Sequence, residues 1–376
     1  EFVDVYQKLD STTKRLEKTY FIAKLIKKTK QEDIPTIILL LQGKVFEAWD
    51  ERKLGVATRM VIKAINVATG ISPKIIEDEW KNIGDLGEVT EKLTGKKTQA
   101  TLFTNELTVK KVFNNLQKIA SLEGEGSVDR KIQLLAELLT SAKPIEARYI
   151  TRTVLEDLRV GTGAGTLRDA IVWAEFPKIQ KIFFKCDKCH KVNPKIKKCL
   201  ECDNDLDLKS KLEGKNEHLG EDYKHINIQK VDVLTFEKEE QAREAYKYYS
   251  DLVQDAYNLT NDFGKVVLTA KTKGIKGLEE IDITPFKPIK VMLYQKAKDI
   301  EDAFERVGKP AAFEFKYDGL RIQAHKINGK ITLFTRNFED VTKQFPDLVD
   351  AIKNHVKSDS IILDGEAVGF DKTTTQ

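Results

Sequence analysis

The chain has 376 residues, 41% hydrophobic and 32% charged, which gives room for two or three domains under a heavily charged surface. Its 63 Lys and Arg nearly balance 59 acids, so the net charge of +4 does not by itself indicate a nucleic-acid partner; any basic face must come from segregation. The longest apolar run, IPTIILLLQG, is too short to span a bilayer, and no basic leader precedes an apolar stretch at the start, so no membrane partner is expected.

Residues 1–180 read as helices. Ser11, Thr12 and Thr13 are cap candidates before a segment with Leu16, Tyr20, Ala23 and Ile26 on one face. Ala57 to Ala68 repeats the pattern through Met60, Val61, Ala64 and Ile65. Further helices are expected over Val109 to Ala120, Asp129 to Leu139 and Ile145 to Leu158, in a compact all-α domain. The run LRVGTGAGTLRDAI, Leu158 to Ile171, follows a helix rather than a strand and lacks the GK[ST] of a P-loop. It reads as a helix–turn–helix whose glycines expose backbone N–H groups to a phosphate. Arg159, Gly161, Gly163, Gly165 and Arg168 are therefore expected to contact a DNA backbone, with a purely structural turn as the alternative.

Composition changes near Ile179. Cys186-x2-Cys189 and Cys199-x2-Cys202 hold all four cysteines of the chain, two knuckles able to present four thiolates to one tetrahedral Zn²⁺. Such a site is structural, and reduced thiols imply a reducing compartment. Seven lysines between Lys181 and Lys198, against Asp187 alone, offer the segment a phosphate contact or simply a solvated face. Helical periodicity resumes at about Thr235, with Tyr249, Leu252, Val253 and Ala256 on one face, so residues 180–234 read as an insert.

From Ile283 the pattern turns to strands. Two prolines in TPFKPIK keep the chain extended, and AAFEFK, RIQAHKI, KITLFT and SIILDGEAVGF follow, with Asn328-Gly329 as a hairpin turn. In EFKYDGLR, strand alternation would put Glu314, Lys316 and Asp318 on one side and pack Phe313 and Phe315 on the other. A lysine on a pocket wall is a potential nucleophile. Asp318 would supply a metal or proton handle, Gly319 a tight turn and Arg321 a phosphate clamp. Arg336 ends the next strand, and Glu366 suits a ribose hydroxyl or Mg²⁺.

Taken together, KYDGLR, TRNFEDVT and DGEAVGFD resemble the ordered motifs of the ATP-dependent DNA ligase family, within the covalent nucleotidyltransferases. LQGKVFEAWDERKLGVATRMVIKAINVATG, VLEDLRVGTGAGTLRDAI and LTNDFGKVVLTAKTKGIKGLEEI resemble the DNA-binding domain of archaeal and eukaryotic replicative ligases, and PFKPIKVML the lead-in to their adenylation domain. The likeness leaves out only about residues 180–234. The expected fold class is a multidomain α plus α/β chain. Residues 1–278 would form an all-α DNA-binding domain with a zinc-ribbon-like insert, and residues 279–376 the first part of a β-rich nucleotidyltransferase (adenylation) domain.

The resemblance implies ATP and Mg²⁺ as cofactors beside structural Zn²⁺. Lys316 would carry AMP as a phosphoramidate and Glu314 would read adenine. Arg321 and Arg336 would contact phosphate or ribose, and Glu366 ribose and metal. It also implies nicked double-stranded DNA as partner, a sliding clamp as a second candidate, and work in replication, repair and recombination. A cytoplasmic monomer, nucleoid-associated in a prokaryote, is expected. The family's later elements (an adenine-stacking aromatic, a second metal acid, paired lysines, an OB-fold domain) do not follow, so a fragment is expected. The alternatives are an RNA ligase or capping-type enzyme, and a DNA-binding fragment without activity.

Overall fold

A computed structural model of the chain describes residues 1–50, 52–96, 107–291 and 296–369. They fall into two compact units, one of residues 1–257 and 262–281, the other of residues 258–261 and 282 onward.

The first unit begins with α1 (Phe2–Asp10), α2 (Arg15–Lys28), α3 (Ile34–Leu41), α4 (Thr58–Thr69), α5 (Pro73–Ile83) and α6 (Leu86–Thr94). It continues with α7 (Val109–Ala120), α8 (Ser127–Ser141), α9 (Pro144–Val154) and α10 (Ala164–Glu175). Apolar residues at helical spacing build two cores. Ile65, Ile76, Val89, Leu116, Leu135 and Ile150 belong to one, to which each of α4–α9 contributes. Leu9, Ile26, Leu41 and Ile171 belong to the other, which also takes in Tyr249 and Val267 of α11 (Glu239–Thr260) and α12 (Phe263–Glu279).

Buried Arg152 of α9 links them. It bonds Asp85 and Asp10 at 2.9 Å each and reaches Glu88 at 3.4 Å. Asp85 also caps α6 by accepting the N–H of Glu88. Burial works against its carboxylate, but Arg152, that N–H and Arg159 together hold its pKa below the usual range.

Two helical expectations are corrected. On α2 the buried face is Thr19, Ile22, Ala23 and Ile26, whereas Leu16 in the first turn is exposed and lines an open groove with Phe21 and Ile196. The helix expected to reach Leu158 ends at Val154, because Glu156 and Arg159 adopt φ of 56° and 59° and reverse the chain.

Between α10 and α11 lie five short strands, β1 (Lys178–Ile179), β2 (Phe183–Lys185), β3 (Val192–Pro194), β4 (Glu217–Leu219) and β5 (Val233–Thr235). β5 pairs in parallel with both β1 and β4, so the ends of the excursion are stitched together where it leaves the helices. β2 and β3 form an antiparallel hairpin. Thr235 belongs to β5, so helical structure resumes at Glu239 rather than at Thr235.

The second unit holds α13 (Ile300–Val307), β6 (Leu320–Ile327), β7 (Lys330–Thr335), α14 (Pro346–His355) and β8 (Ser360–Ala367). The sheet order is β7-β6-β8, with both pairings antiparallel. Asn328 and Gly329, at φ 48° and 80°, make the two-residue turn whose twist suits the flanking strands. One face of the sheet, with Ile322, Ala324, Ile331 and Leu333, packs on Leu348, Val349 and Ile352 of α14.

On the other face, Gln323 and His325 receive the N–H groups of Ile289 and Phe286, so TPFKPIK is laid against β6. The last residues of PFKPIKVML lie outside the described residues. AAFEFK was expected as a strand and is not one: residues 311–318 have no ladder partner among the described residues, and strand propensity without a neighbour does not make a strand.

His325 is buried, and burial lowers its pKa. Its Nδ1 accepts from Phe286, while its Nε2 faces Gln323 Oε1 at 3.0 Å, so the folded form is the neutral Nε2–H tautomer. The unfolded chain therefore takes up the proton first as pH falls. This contribution to stability is present above about pH 6.5 and is lost below it, by at most about 1.4 kcal/mol per pH unit. Urea unfolding of the second unit at pH 7.5 and 5.5 should show this loss, and His325→Gln should show a smaller difference between the two.

Candidate functional site

Antiparallel pairing brings the start of β6, the end of β7 and the end of β8 to one edge of the sheet. Ile322 is opposite Thr335 of β7 and Gly365 of β8, and Arg321 is opposite Glu366. Arg336, which follows Thr335 in an exposed turn, therefore shares that edge with Arg321 and Glu366. Three motifs spread over some fifty residues meet there. The last two residues of DGEAVGFD lie outside the described residues.

Arg321 forms a two-pronged ion pair with Asp364, Nε to Oδ1 at 2.9 Å and Nη2 to Oδ2 at 2.7 Å. Asp364 and Glu366 are two apart on β8 and so share a face with Arg321. The Asp364 bond, with a smaller effect of Glu366, raises the Arg321 pKa further. Asp364 was not singled out from the sequence, although its i, i+2 relation to Glu366 was a usable signal.

Lys316 lies in the segment that leads into β6. Its Nζ is bonded to Asp318 Oδ1, which depresses the Asp318 pKa. Lys316 is not on a buried pocket wall: its side chain is 69% exposed, and Glu314 is exposed too. Phe313 and Phe315, expected to pack beneath it, are 84% and 86% exposed. Phe313 has an edge contact with Phe304 of α13 at 6.2 Å between centroids. No packed layer lies under the segment among the described residues, because it has not joined the sheet.

Gly319 has a reason other than the expected turn. A Cβ there would come within 2.5 Å of Ala367 O and 3.1 Å of Glu366 Cγ, so only glycine lets the lysine segment run this close to β8.

In the helical unit, the glycine run forms the turn between α9 and α10, with Gly161 at φ 60° and Gly163 as a helix cap without a side chain. Lys18 donates to Val160 O and Arg15 to Gly165 O, placing two further cations at the turn. Arg159 is bonded to Asp157 and Asp85, and Arg168 to Asp169. Arg15 and Lys18 were missed because their link to the turn crosses more than a hundred residues of sequence.

The four cysteine sulfurs lie within 4.8 Å of one another. Cys186 and Cys199 are buried, and Cys189 and Cys202 half-buried. Burial works against the Cys199 thiolate, but the backbone N–H groups of Glu201 and Cys202 together with the Cys189 and Asn193 side chains bring the thiol down to about 7.

Residues 1–172 match the family model described as DNA ligase N terminus, and residues 291–376 match that of the ATP dependent DNA ligase domain. The chain belongs to the ATP-dependent DNA ligase family. It is 36% identical over 376 residues to a protein named DNA ligase from Nanoarchaeum equitans (strain Kin4-M), covering 100% of this chain and 54% of that one. Proteins of the same name from Thermococcus onnurineus (strain NA1) and Methanothermobacter thermautotrophicus (strain ATCC 29096 / DSM 1053 / JCM 10044 / NBRC 100330 / Delta H) are 36% and 35% identical over 368 residues, 98% of this chain and 53% of each. The chain spans about half the length of these curated relatives. Its cysteine cluster falls between the two stretches that match ligase family models.

Two glycines of the ligase motifs should respond oppositely to alanine. Gly319→Ala forces a methyl into the Ala367 carbonyl and should cost about 1–3 kcal/mol of stability. Gly365→Ala meets nothing within 4 Å and should be neutral or stabilising, by up to about 1 kcal/mol. Denaturant unfolding of the two variants beside the parent measures the contrast.

Proposed function

We propose that this chain supplies the DNA-binding region and the nucleophile-bearing part of an ATP-dependent DNA ligase that seals nicks in duplex DNA through a lysine–AMP intermediate. The observation that carries this reading is the strand register that gathers the start of β6, the end of β7 and the end of β8 at one sheet edge. In this reading residues 1–278 bind DNA and residues 279–376 belong to the adenylation domain.

Lys316 Nζ, freed from Asp318 and without its extra proton, attacks the α-phosphorus of ATP. An N–P bond forms, the bond to the β-phosphate oxygen breaks, and pyrophosphate leaves. Glu314 reads the adenine. Arg321 uses two N–H groups on Asp364 and keeps the rest of its guanidinium for phosphate, beside Arg336. Glu366 takes the ribose hydroxyls. The carboxylate oxygens of Glu366 and Asp318 are hard donors that suit Mg²⁺, which supplies charge neutralisation on the phosphates when bound. AMP then passes to the 5′-phosphate of the nick, and the 3′-hydroxyl displaces it.

The helical unit meets the DNA backbone at the glycine turn. Arg15, Lys18, Arg159 and Arg168 around Gly161, Gly163 and Gly165 support this role. A cytoplasmic, nucleoid-associated monomer recruited by a sliding clamp fits the same reading. Among the described residues, no helix is long and apolar enough to cross a membrane.

Incubation with Mg²⁺ and ATP labelled at the α-phosphate should give acid-labile label on the protein, and γ-label should give none. Nicked duplex should then receive AMP on its 5′-phosphate. Lys316→Ala should abolish labelling, and Arg321→Ala should reduce it at least about tenfold, the scale of one lost charge-assisted contact. Labelling by GTP in place of ATP, or transfer to RNA ends alone, would contradict the proposal.

A further inference from the structure

The cysteine module has almost no apolar core of its own. Leu206, Ile196 and the cysteines make up its own cluster, too few to hold some twenty residues by hydrophobic burial, and Val192 packs on the helical core instead. Its two knuckles are instead built on one plan. Cys186 donates its N–H to Lys191 O and accepts that of His190; Cys199 donates to Asn204 O and accepts from Asp203. His190 and Asp203, each four residues past the first cysteine of its knuckle, share a left-handed backbone at φ 58° and 57°. This repeat folds both pairs of thiols inward, with Cys186 and Cys202 sulfurs 3.6 Å apart and those of Cys189 and Cys199 3.5 Å apart.

Four thiolates about 2.3 Å from one Zn²⁺ lie about 3.8 Å from each other, whereas a disulfide needs about 2.05 Å, so the spacing suits a tetrahedral ion. Asn193 Nδ2 and the Glu201 N–H both point at Cys199 Sγ at 3.4 Å, as donors around a metal-bound thiolate do.

Glu201 lies inside the second knuckle, between Cys199 and Cys202. It accepts the Tyr20 hydroxyl at 2.9 Å and the Lys24 ammonium, both on α2. We propose that Cys186, Cys189, Cys199 and Cys202 hold one Zn²⁺, and that the ion, by fixing the second knuckle, presents Glu201 to Tyr20 and Lys24 and fastens the module to α2. The site lies outside both matched family stretches and does not depend on the ligase reading.

Protein purified without added metal should contain one zinc per chain, and its thiols should react fully only after chelation. Cobalt exchanged into the site should show sulfur-to-metal charge-transfer absorption. Cys202→Ser should lose the metal. Cys202→His, which keeps a fourth ligand, should retain it with shifted cobalt bands, separating loss of a ligand from misfolding. Chelation should lower the melting temperature of the helical unit by about 5 °C or more. In Glu201→Gln, which keeps its zinc, that drop should shrink by at least about half, because the link to α2 is already weakened. Substoichiometric zinc, iron in its place, or two disulfides would overturn the metal assignment. Bound zinc whose removal leaves the melting temperature unchanged would overturn the fastening role. None of these readouts uses ATP or DNA.

Discussion

The antiparallel ladder on both sides of β6 is the constraint on which the candidate site depends. A parallel partner would put its motif at the far end of the sheet, and a one-residue slip would turn Arg321 toward α14. The register is held by burial: Ile322, Ala324 and Leu333 have to face α14, so Arg321, Asp364 and Glu366 have to face the other way. The candidate site and the fold therefore draw on the same alternation, apolar residues on one face and charge on the other. Gly319 lets the lysine segment approach this edge closely enough to share it.

The helical unit relies on a comparable device with charges in place of a ladder. Buried Arg152 gathers Asp85, Asp10 and Glu88, and through Asp85 it also reaches Arg159 at the glycine turn. Removing one partner from such a network leaves a buried charge uncompensated, and the Arg159–Asp85 pair ties the turn to that network. The cysteine module meets the same unit at Glu201 through a polar contact, beside the β2–β3 hairpin whose Phe183 and Val192 pack into the helical core.

What could be read in the sequence was local. Asn328-Gly329 and the alternation around it gave the β6–β7 hairpin, and the two Cys-x2-Cys pairs gave the thiol cluster. KYDGLR, TRNFEDVT and DGEAVGFD gave the family through their order. What escaped was set by distant partners. Phe313 and Phe315 have strand-forming character, but a strand exists only with a neighbour, and they are exposed. Leu16 fits the period of α2 but faces a groove. Arg152 with Asp85, Arg15 with Gly165 and Tyr20 with Glu201 join positions 67, 150 and 181 residues apart, beyond the reach of any periodicity.

The central claim is that Lys316 is the residue that becomes joined to the nucleotide. Intact mass after incubation with ATP and Mg²⁺, followed by peptide mapping, tests it most directly. The account predicts a gain of one AMP, located on the peptide that contains Lys316 and absent from Lys316→Ala. An adduct mapped to any other residue, or one that persists in Lys316→Ala, would contradict it.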